Sequence, residues 1–287
     1  MTNSQNHKLY GIIGGSLRFS LSPMIHSYLF KKYKLNSCYS VFESNQSNLK
    51  DIIGGIRSLN IYGVNVTYPY KEKIVPYLDK LDSASQKAVA VNTIINRHGK
   101  LCGYNTDIIG FQQTIQNRLK INIKNKSILL LGAGGAARAC MVELIRQKAG
   151  NILVANRDVS KATKMIKNFK SNLDIKAIDI GHIDRQKLSG KCDLLINSTS
   201  ADSSFVLNII KALSNGKDFR NAKIFDMNYG LRSLPKINQE FPNRYVDGLY
   251  MLVAQAAASF NIWTGIKAEP DDIYNYMRRK LQDINYA

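Results

Sequence analysis

Acidic residues are scarce in this 287-residue chain: 21 Asp and Glu stand against 40 Lys and Arg, a net charge of +19. Such an excess suits nucleic-acid binding or the attraction of anionic ligands. The basic residues are scattered rather than blocked, and no ribonucleoprotein or zinc-finger pattern accompanies them. The charge is therefore read as solvated lysine-rich faces that also favour anions. Cysteine is equally thin. Cys38, Cys102, Cys140 and Cys192 stand far apart, none in a Cys-x-x-Cys pair, and His7, His26, His98 and His182 do not cluster with them. That spacing excludes a disulfide framework and a zinc site. No run of about 18 apolar residues occurs, so no spanning helix is expected. Residues 1–10 are polar and lack the apolar core of a secretory leader, which makes the cytoplasm the expected location.

Hydrophobic residues make up 45% of the chain, enough for a substantial core in one large domain or two ordinary ones. Residues 63–71, Gly-Val-Asn-Val-Thr-Tyr-Pro-Tyr-Lys, read as a short strand, a proline-marked turn and a helix start. Proline biases Tyr68 away from helix, so the chain stays extended toward Lys71. This geometry can aim Asn65, Thr67 and Lys71 at one small polar molecule.

Upstream, residues 8–13 read as a strand and 22–33 as a helix, with Ser22 as N-cap and Pro23 at the first helical position. Residues 37–42 and 61–66 are strands, 48–59 a helix weakened by Gly54-Gly55, and 70–81 a segment containing a helix broken or kinked at Pro76. Residues 89–95 and 101–104 form a hairpin around Arg97-His98-Gly99, and Thr106-Asp107 cap a helix to about 119. After a polar connector at 121–126, strands at 127–131, 151–155, 175–178, 193–197 and 223–227 alternate with helices. That alternation argues for a parallel sheet covered on both faces. Helices follow from 248 to about 263 and from 270 to about 284.

Residues 129–139, Leu-Leu-Leu-Gly-Ala-Gly-Gly-Ala-Ala-Arg-Ala, read as strand, glycine turn and helix. The glycines allow close backbone approach to a pyrophosphate, and the helix start supplies unpaired N–H donors. The pattern is Gly-x-Gly-Gly rather than the full Gly-x-Gly-x-x-Gly, and its place inside a strand–helix–strand unit gives it weight. The next strand ends in Asn156-Arg157-Asp158. An NAD-binding unit usually places Asp or Glu there for the ribose hydroxyls. Arg157, with Lys161 one helical turn later, instead suits the 2′-phosphate of NADP. Asp158 argues the other way, because a carboxylate repels a phosphate.

In order, Ser20-Leu21-Ser22-Pro23-Met24-Ile25-His26, Asn65-Val66-Thr67-x-Pro69-x-Lys71, Ala90-Val91-Asn92-Thr93, Gly103-x-Asn105-Thr106-Asp107, the turn at 132–136, Asn156-Arg157 and Asp247-Gly248-Leu249-x-Met251-Leu252-x-x-Gln255-Ala256 run nearly end to end. This series resembles the shikimate dehydrogenase family. The resemblance implies reversible, NADPH-dependent reduction of 3-dehydroshikimate to shikimate, a step toward aromatic amino acids. It implies an α/β architecture with an N-terminal α/β substrate domain completed by C-terminal helices (1–106 and 248–287) and a Rossmann-type doubly wound nucleotide domain (107–247). Lys71 and Asp107 would form the catalytic pair. Ser20, Ser22, Asn65, Thr67, Asn92, Tyr229 and Gln255 would bind substrate. Gly132, Ala133, Gly134, Gly135, Ala136, Asn156, Arg157, Lys161, Thr199, Met227 and Tyr250 would bind NADP. No metal, membrane or nucleic acid is implied, and the chain is expected as a monomer or homodimer.

The chain departs from the family pattern at Phe19, where histidine often precedes the first serine, at Ile108, and at Tyr250, where glycine is usual. Asp158 replaces a frequent threonine, and the segment after Asn197-Ser198-Thr199-Ser200 lacks the usual glycine. These changes bear on kinetics and cofactor choice more than on fold. Asp158 motivates one alternative, a quinate/shikimate enzyme that tolerates NAD. The net charge motivates another, a non-catalytic RNA-binding protein on the same fold.

Overall fold

The computed structural model describes residues 7–44, 49–183, 192–200, 203–214, 219, 221–229, 241 and 243–285. Residue 48, the expected start of the second helix, and residues 1–6 of the polar N-terminal stretch lie outside the described residues. The chain divides into two compact units, one formed by Met1–Gly110 with Leu252–Ala287 and the other by Phe111–Met251.

The first unit opens with β1 (Lys8–Gly14), α1 (Ser22–Lys32), β2 (Ser37–Glu43), α2 (Leu49–Ser58) and β3 (Gly63–Val66). It continues with β4 (Lys80–Leu81), α3 (Ser83–Ala88), β5 (Thr93–Arg97) and β6 (Lys100–Tyr104). Its six-stranded sheet has the order β2-β1-β3-β5-β6-β4. β1 runs parallel to β2 and β3, whereas β5 runs antiparallel to β3 and β6. Helix α2 buries Leu49, Ile53 and Ile56, one stripe at helical spacing, against Ile13, Val64, Tyr70 and Ile94. His98 and Gly99 both take positive φ (54° and 84°), the geometry that closes a two-residue hairpin between β5 and β6.

Three local expectations are corrected. Residues 70–81 hold no α-helix: turns lead to a single 3-10 turn at Val75–Tyr77 and then β4. Pro76 offers no N–H to a longer helix, and the backbone N–H groups of Asp79 and Asp82 are captured by Leu101 and Gly103 of β6. Ser22 is not the cap of α1. Leu21 occupies that position without a side-chain bond, and Ser22 is the first helical residue. The hairpin strand starts at Thr93 rather than 89, because Val89, at φ 49°, closes α3, a helix the sequence pattern did not reveal.

The second unit begins within α4 (Asp107–Thr114), which loosens into π turns over Ile115–Leu119 instead of continuing as α-helix. Then come β7 (Ser127–Leu131), α5 (Gly135–Arg146), β8 (Asn151–Asn156), α6 (Val159–Lys167), β9 (Asp174–Asp179), β10 (Leu194–Asn197), α7 (Ser203–Ser214), β11 (Lys223–Asp226) and β12 (Tyr245–Val246). The strand order is β12-β11-β10-β7-β8-β9, and every pairing is parallel. Such a sheet is buried on both faces, which explains the unbroken apolar run of β7. Ile128 and Leu130 join one core cluster, and Leu129 and Leu131 join the other.

Helix α8 (Leu249–Thr264) returns the chain to the first unit, and α9 (Pro270–Asn285) ends it. Trp263 of α8 donates its indole N–H to the Ile94 carbonyl at 2.9 Å. A Cβ on Gly63 would lie 2.4 Å from Trp263 Nε1, so glycine leaves the room that the indole fills. Among the described residues no helix is long and apolar enough to cross a membrane.

Candidate active site

In the first unit, β3, β5 and β6 lie side by side, and the segments at their ends bring distant residues together. Lys71 follows the turn after β3, Asn92 precedes β5, and Asp107 follows β6. The Lys71 carbonyl accepts from the Val91 N–H at 2.8 Å, and the Asn92 N–H donates to the Tyr104 carbonyl at 3.1 Å. Those backbone bonds hold the three segments in register.

The result is a tight polar cluster. Lys71 Nζ lies 2.6 Å from Asp107 Oδ2, with side chains 18% and 8% exposed. Asn92 Nδ2 donates to the other carboxylate oxygen, Oδ1, at 2.9 Å. The same amide nitrogen lies 3.3 Å from Gln255 Oε1, whose own Nε2 donates to the Leu252 carbonyl at 2.8 Å. The Thr106 backbone N–H donates to Asn92 Oδ1 at 2.7 Å, which fixes the amide so that its nitrogen faces Asp107. A largely shielded amine and carboxyl in contact can pass a proton to or from an oxygen placed beside them.

Asn65 is buried behind this cluster. Its Oδ1 accepts from the Tyr39 hydroxyl at 2.7 Å, and its Nδ2 faces the Asn92 carbonyl, Thr93 Oγ1 and Ser259 Oγ at 3.1–3.2 Å. Thr67 is anchored by its N–H to the Ile13 carbonyl and packs its methyl group against Gly14. Ser20 Oγ accepts from the Ser22 N–H at 3.4 Å. Ser20, Ser22 and Thr67 make no hydrogen bond to the Lys71–Asp107 cluster among the described residues. Tyr229 belongs to the second unit, half-buried just beyond β11. Sequence reasoning missed Thr93, Thr106, Ser259 and Tyr39. The first two stand inside the quoted motifs but carried no assigned role, and Ser259 lies one helical turn after Gln255, a spacing that marks a shared face. Nothing in the sequence marked Tyr39.

In the second unit, the order β10-β7-β8 places the reversal of strand order at β7, where the carboxyl ends of parallel strands open a ligand crevice. Gly132 takes φ 104°, and a Cβ there would lie 2.6 Å from Ser198 Oγ. Gly134 is the N-cap of α5, and a Cβ built on it meets nothing within 4 Å. Gly134, Gly135 and Ala136 are partly open to solvent at that helix start. A bare backbone facing open space at a helix N-terminus fits a pyrophosphate. Thr199 is held by its N–H and hydroxyl to Asn197 Oδ1 (3.1 and 2.7 Å), and the Met227 N–H donates to the Asn197 carbonyl at 3.0 Å. Both therefore sit at the same carboxyl edge of the sheet as Gly132.

Asn156 ends β8, and its amide donates to the Asp158 carbonyl at 2.8 Å. Arg157 and Lys161 are exposed. Asp158 is the N-cap of α6: its Oδ1 accepts from the Ser160 hydroxyl at 2.5 Å and from the Lys161 N–H at 3.2 Å. The Ser160 bond first, then the Lys161 N–H, holds this carboxyl below its ordinary range. Its charge is engaged in the helix start and leaves Arg157 open to a phosphate. Tyr250 turns into the interior of its own unit, 2% exposed, where its hydroxyl accepts from Asn117 Nδ2 at 3.1 Å and the Arg118 guanidinium stands 4.1 Å over its ring. The bulk that departs from the family pattern is thus absorbed in the core.

Asp226 lies at the end of β11. Burial pushes its carboxyl up to about 6, against hydrogen bonds from Asn228 and Asn197. A Cβ on Gly248 would overlap the Met227 carbonyl oxygen at 2.1 Å, which explains why glycine stands there.

Three family models match this chain: a shikimate dehydrogenase substrate binding domain over residues 12–94, a shikimate/quinate 5-dehydrogenase over 113–228, and a shikimate 5′-dehydrogenase C-terminal domain over 248–282. The shikimate dehydrogenase (NADP(+)) of Pyrococcus furiosus is 39% identical over 261 residues, 90% of each chain. The crystal structure of shikimate dehydrogenase from Aquifex aeolicus superposes with a TM-score of 0.82 at 32% identity, covering 97% of this chain and 100% of that one. Shikimate 5-dehydrogenase from Listeria monocytogenes, in complex with shikimate and NAD, superposes with a TM-score of 0.80 at 29% identity over 94% and 96% of the two chains.

Proposed function

The chain belongs to the shikimate dehydrogenase family, and we propose that it interconverts shikimate and 3-dehydroshikimate with NADP, using Lys71 and Asp107 to move the proton. The observation that carries the reading is the 2.6 Å contact between Lys71 Nζ and Asp107 Oδ2, with Asn92 on the second carboxylate oxygen. When bound, the nicotinamide gives or takes the hydride. The protein then has to handle the proton on the substrate oxygen. In reduction the Lys71 ammonium polarises the carbonyl and donates a proton to its oxygen, while Asp107 holds the amine in position. In oxidation the pair takes that proton back. Ser20, Ser22, Asn65, Thr67, Asn92, Tyr229 and Gln255 supply the neutral donors and acceptors that a polyhydroxylated acid requires.

Residues 132–136 would hold the pyrophosphate. Arg157 and Lys161 would hold the 2′-phosphate, with Asn156 beside the ribose. Thr199, Met227 and the Tyr250 backbone would meet the nicotinamide half. Asp158 is committed to capping α6 through Ser160 and the Lys161 N–H, which leaves the choice of NADP to Arg157 and Lys161. We place the substrate domain in residues 1–106 with 248–287 and the NADP domain in 107–247. We place the enzyme in the cytoplasm, as a monomer or homodimer with no nucleic-acid partner. Its four cysteines are free thiols, which suits a reducing compartment.

The test is NADP reduction followed with shikimate as the only other substrate. Turnover supports the reading. An inert protein that binds RNA with a steep salt dependence would replace it with the non-catalytic alternative.

A further inference from the structure

Behind Asp107 lies a set of buried hydroxyls and amides bonded to one another. Ser259, fully buried on α8, is its joint. Its Oγ lies 3.0 Å from the Gln255 carbonyl, 2.8 Å from Thr93 Oγ1, 3.1 Å from Thr106 Oγ1 and 3.1 Å from Asn65 Nδ2. One hydroxyl thus links the helix to β3, to β5 and to the residue before Asp107. At the far end, the Tyr39 hydroxyl donates to Asn65 Oδ1 at 2.7 Å. That donor decides which way the Asn65 amide faces, and so presents Nδ2 to Ser259. The Tyr39 ring is itself fixed by a stack on His26, centroids 4.5 Å apart. Burial pushes the His26 imidazole down to about 3, so it stays neutral at working pH and the stack carries no charge.

The near end controls the carboxylate. Thr106 fixes Asn92 through its backbone N–H (2.7 Å), and Asn92 fixes Asp107 Oδ1 (2.9 Å). We propose that Ser259 and Tyr39 are positioning residues for the reaction: acting through Asn65, Thr106 and Asn92, they set the orientation of the Asp107 carboxylate against Lys71. The inference rests on the proton-handling reading given above. Neither side chain contacts Lys71 or Asp107 directly, so neither is assigned a chemical step. Each works by leaving its neighbour one allowed hydrogen-bonding direction.

Ser259→Ala and Tyr39→Phe test this, with Lys71→Ala measured in parallel. The serine variant leaves Asn65 Nδ2, Thr93 and Thr106 short of a buried partner, and kcat is expected to fall about tenfold. The tyrosine variant removes only a hydroxyl and keeps the ring on His26, so it retains the fold even if Ser259→Ala does not. Its kcat is expected to fall about threefold. In both, the midpoint of the kcat–pH profile moves by about half a unit or more, while the shikimate dissociation constant measured by calorimetry changes less than about threefold. A lowered melting temperature with kcat and pH profile unchanged would assign these residues to stability alone and overturn the proposal. If Lys71→Ala loses turnover while both other variants match the wild type, only the positioning role fails. If Lys71→Ala keeps turnover, the proton-handling reading fails and takes this inference with it.

Discussion

The side-chain amide of Asn92 donates to Asp107 Oδ1 at 2.9 Å, on the carboxylate oxygen that Lys71 does not occupy. The two oxygens of one acid are thereby committed to two different partners, and its plane is fixed. Asn92→Ala frees one oxygen and leaves the Thr106 N–H without its acceptor. Steady-state kinetics with shikimate and NADP should show kcat/KM lowered about 10–100-fold.

Arg157 and Asp158 are neighbours with opposite charges and separate tasks. Arg157→Ala should raise KM for NADP at least about tenfold, the scale of a lost charge-assisted pair, and leave KM for NAD unchanged. Asp158→Ala should remove the α6 cap. A fall of about 3 °C in melting temperature, with the NADP-to-NAD preference unaltered, is the expected result.

Gly132 combines φ 104° with a 2.6 Å approach of Ser198 Oγ to any Cβ. Gly132→Ala should therefore distort the turn at the helix start. Calorimetry should show NADP affinity weakened by more than about tenfold and shikimate affinity unchanged.

Asp226 offers a test by pH. Its folded value, about 6, stands above the ordinary carboxylate value of 3.8. Between those values the folded state binds more protons than the unfolded chain, so stability falls as pH rises through that window and levels off above it. The group therefore costs up to about 3 kcal/mol at neutral pH relative to acid. Asp226→Asn keeps an oxygen for Asn197 and Asn228 and removes the charge. Denaturant melts of this variant should lose the decline between pH 4 and 6 and show higher stability at pH 7.

Much of this was legible in the sequence. Strictly alternating strands and helices after residue 127 announce a parallel sheet, because an apolar run such as 128–131 between a polar connector and a glycine turn has few other uses. Where the chain order misled, a partner distant in sequence had intervened. Residues 70–81 read as containing a helix, yet β6 captures the backbone N–H groups of Asp79 and Asp82 at its end. Ser22 has the residue type of a cap, yet Leu21 takes the position. At the site, motif residues such as Asn92 and Asp107 stood out. The hydroxyls of Thr93 and Thr106 stood inside the same motifs without a role, because only the packed strands and helix show what they bond. The sequence marks Tyr250 as bulk where glycine is usual; only the packed unit shows where the ring goes, under Arg118.

The most direct measurement compares Lys71→Ala with the wild type in turnover and in shikimate affinity. The account predicts kcat lowered about 10²–10⁴-fold, the contribution of a positioned acid or base, with the shikimate dissociation constant changed only modestly. A variant that turns over at the wild-type rate would contradict it.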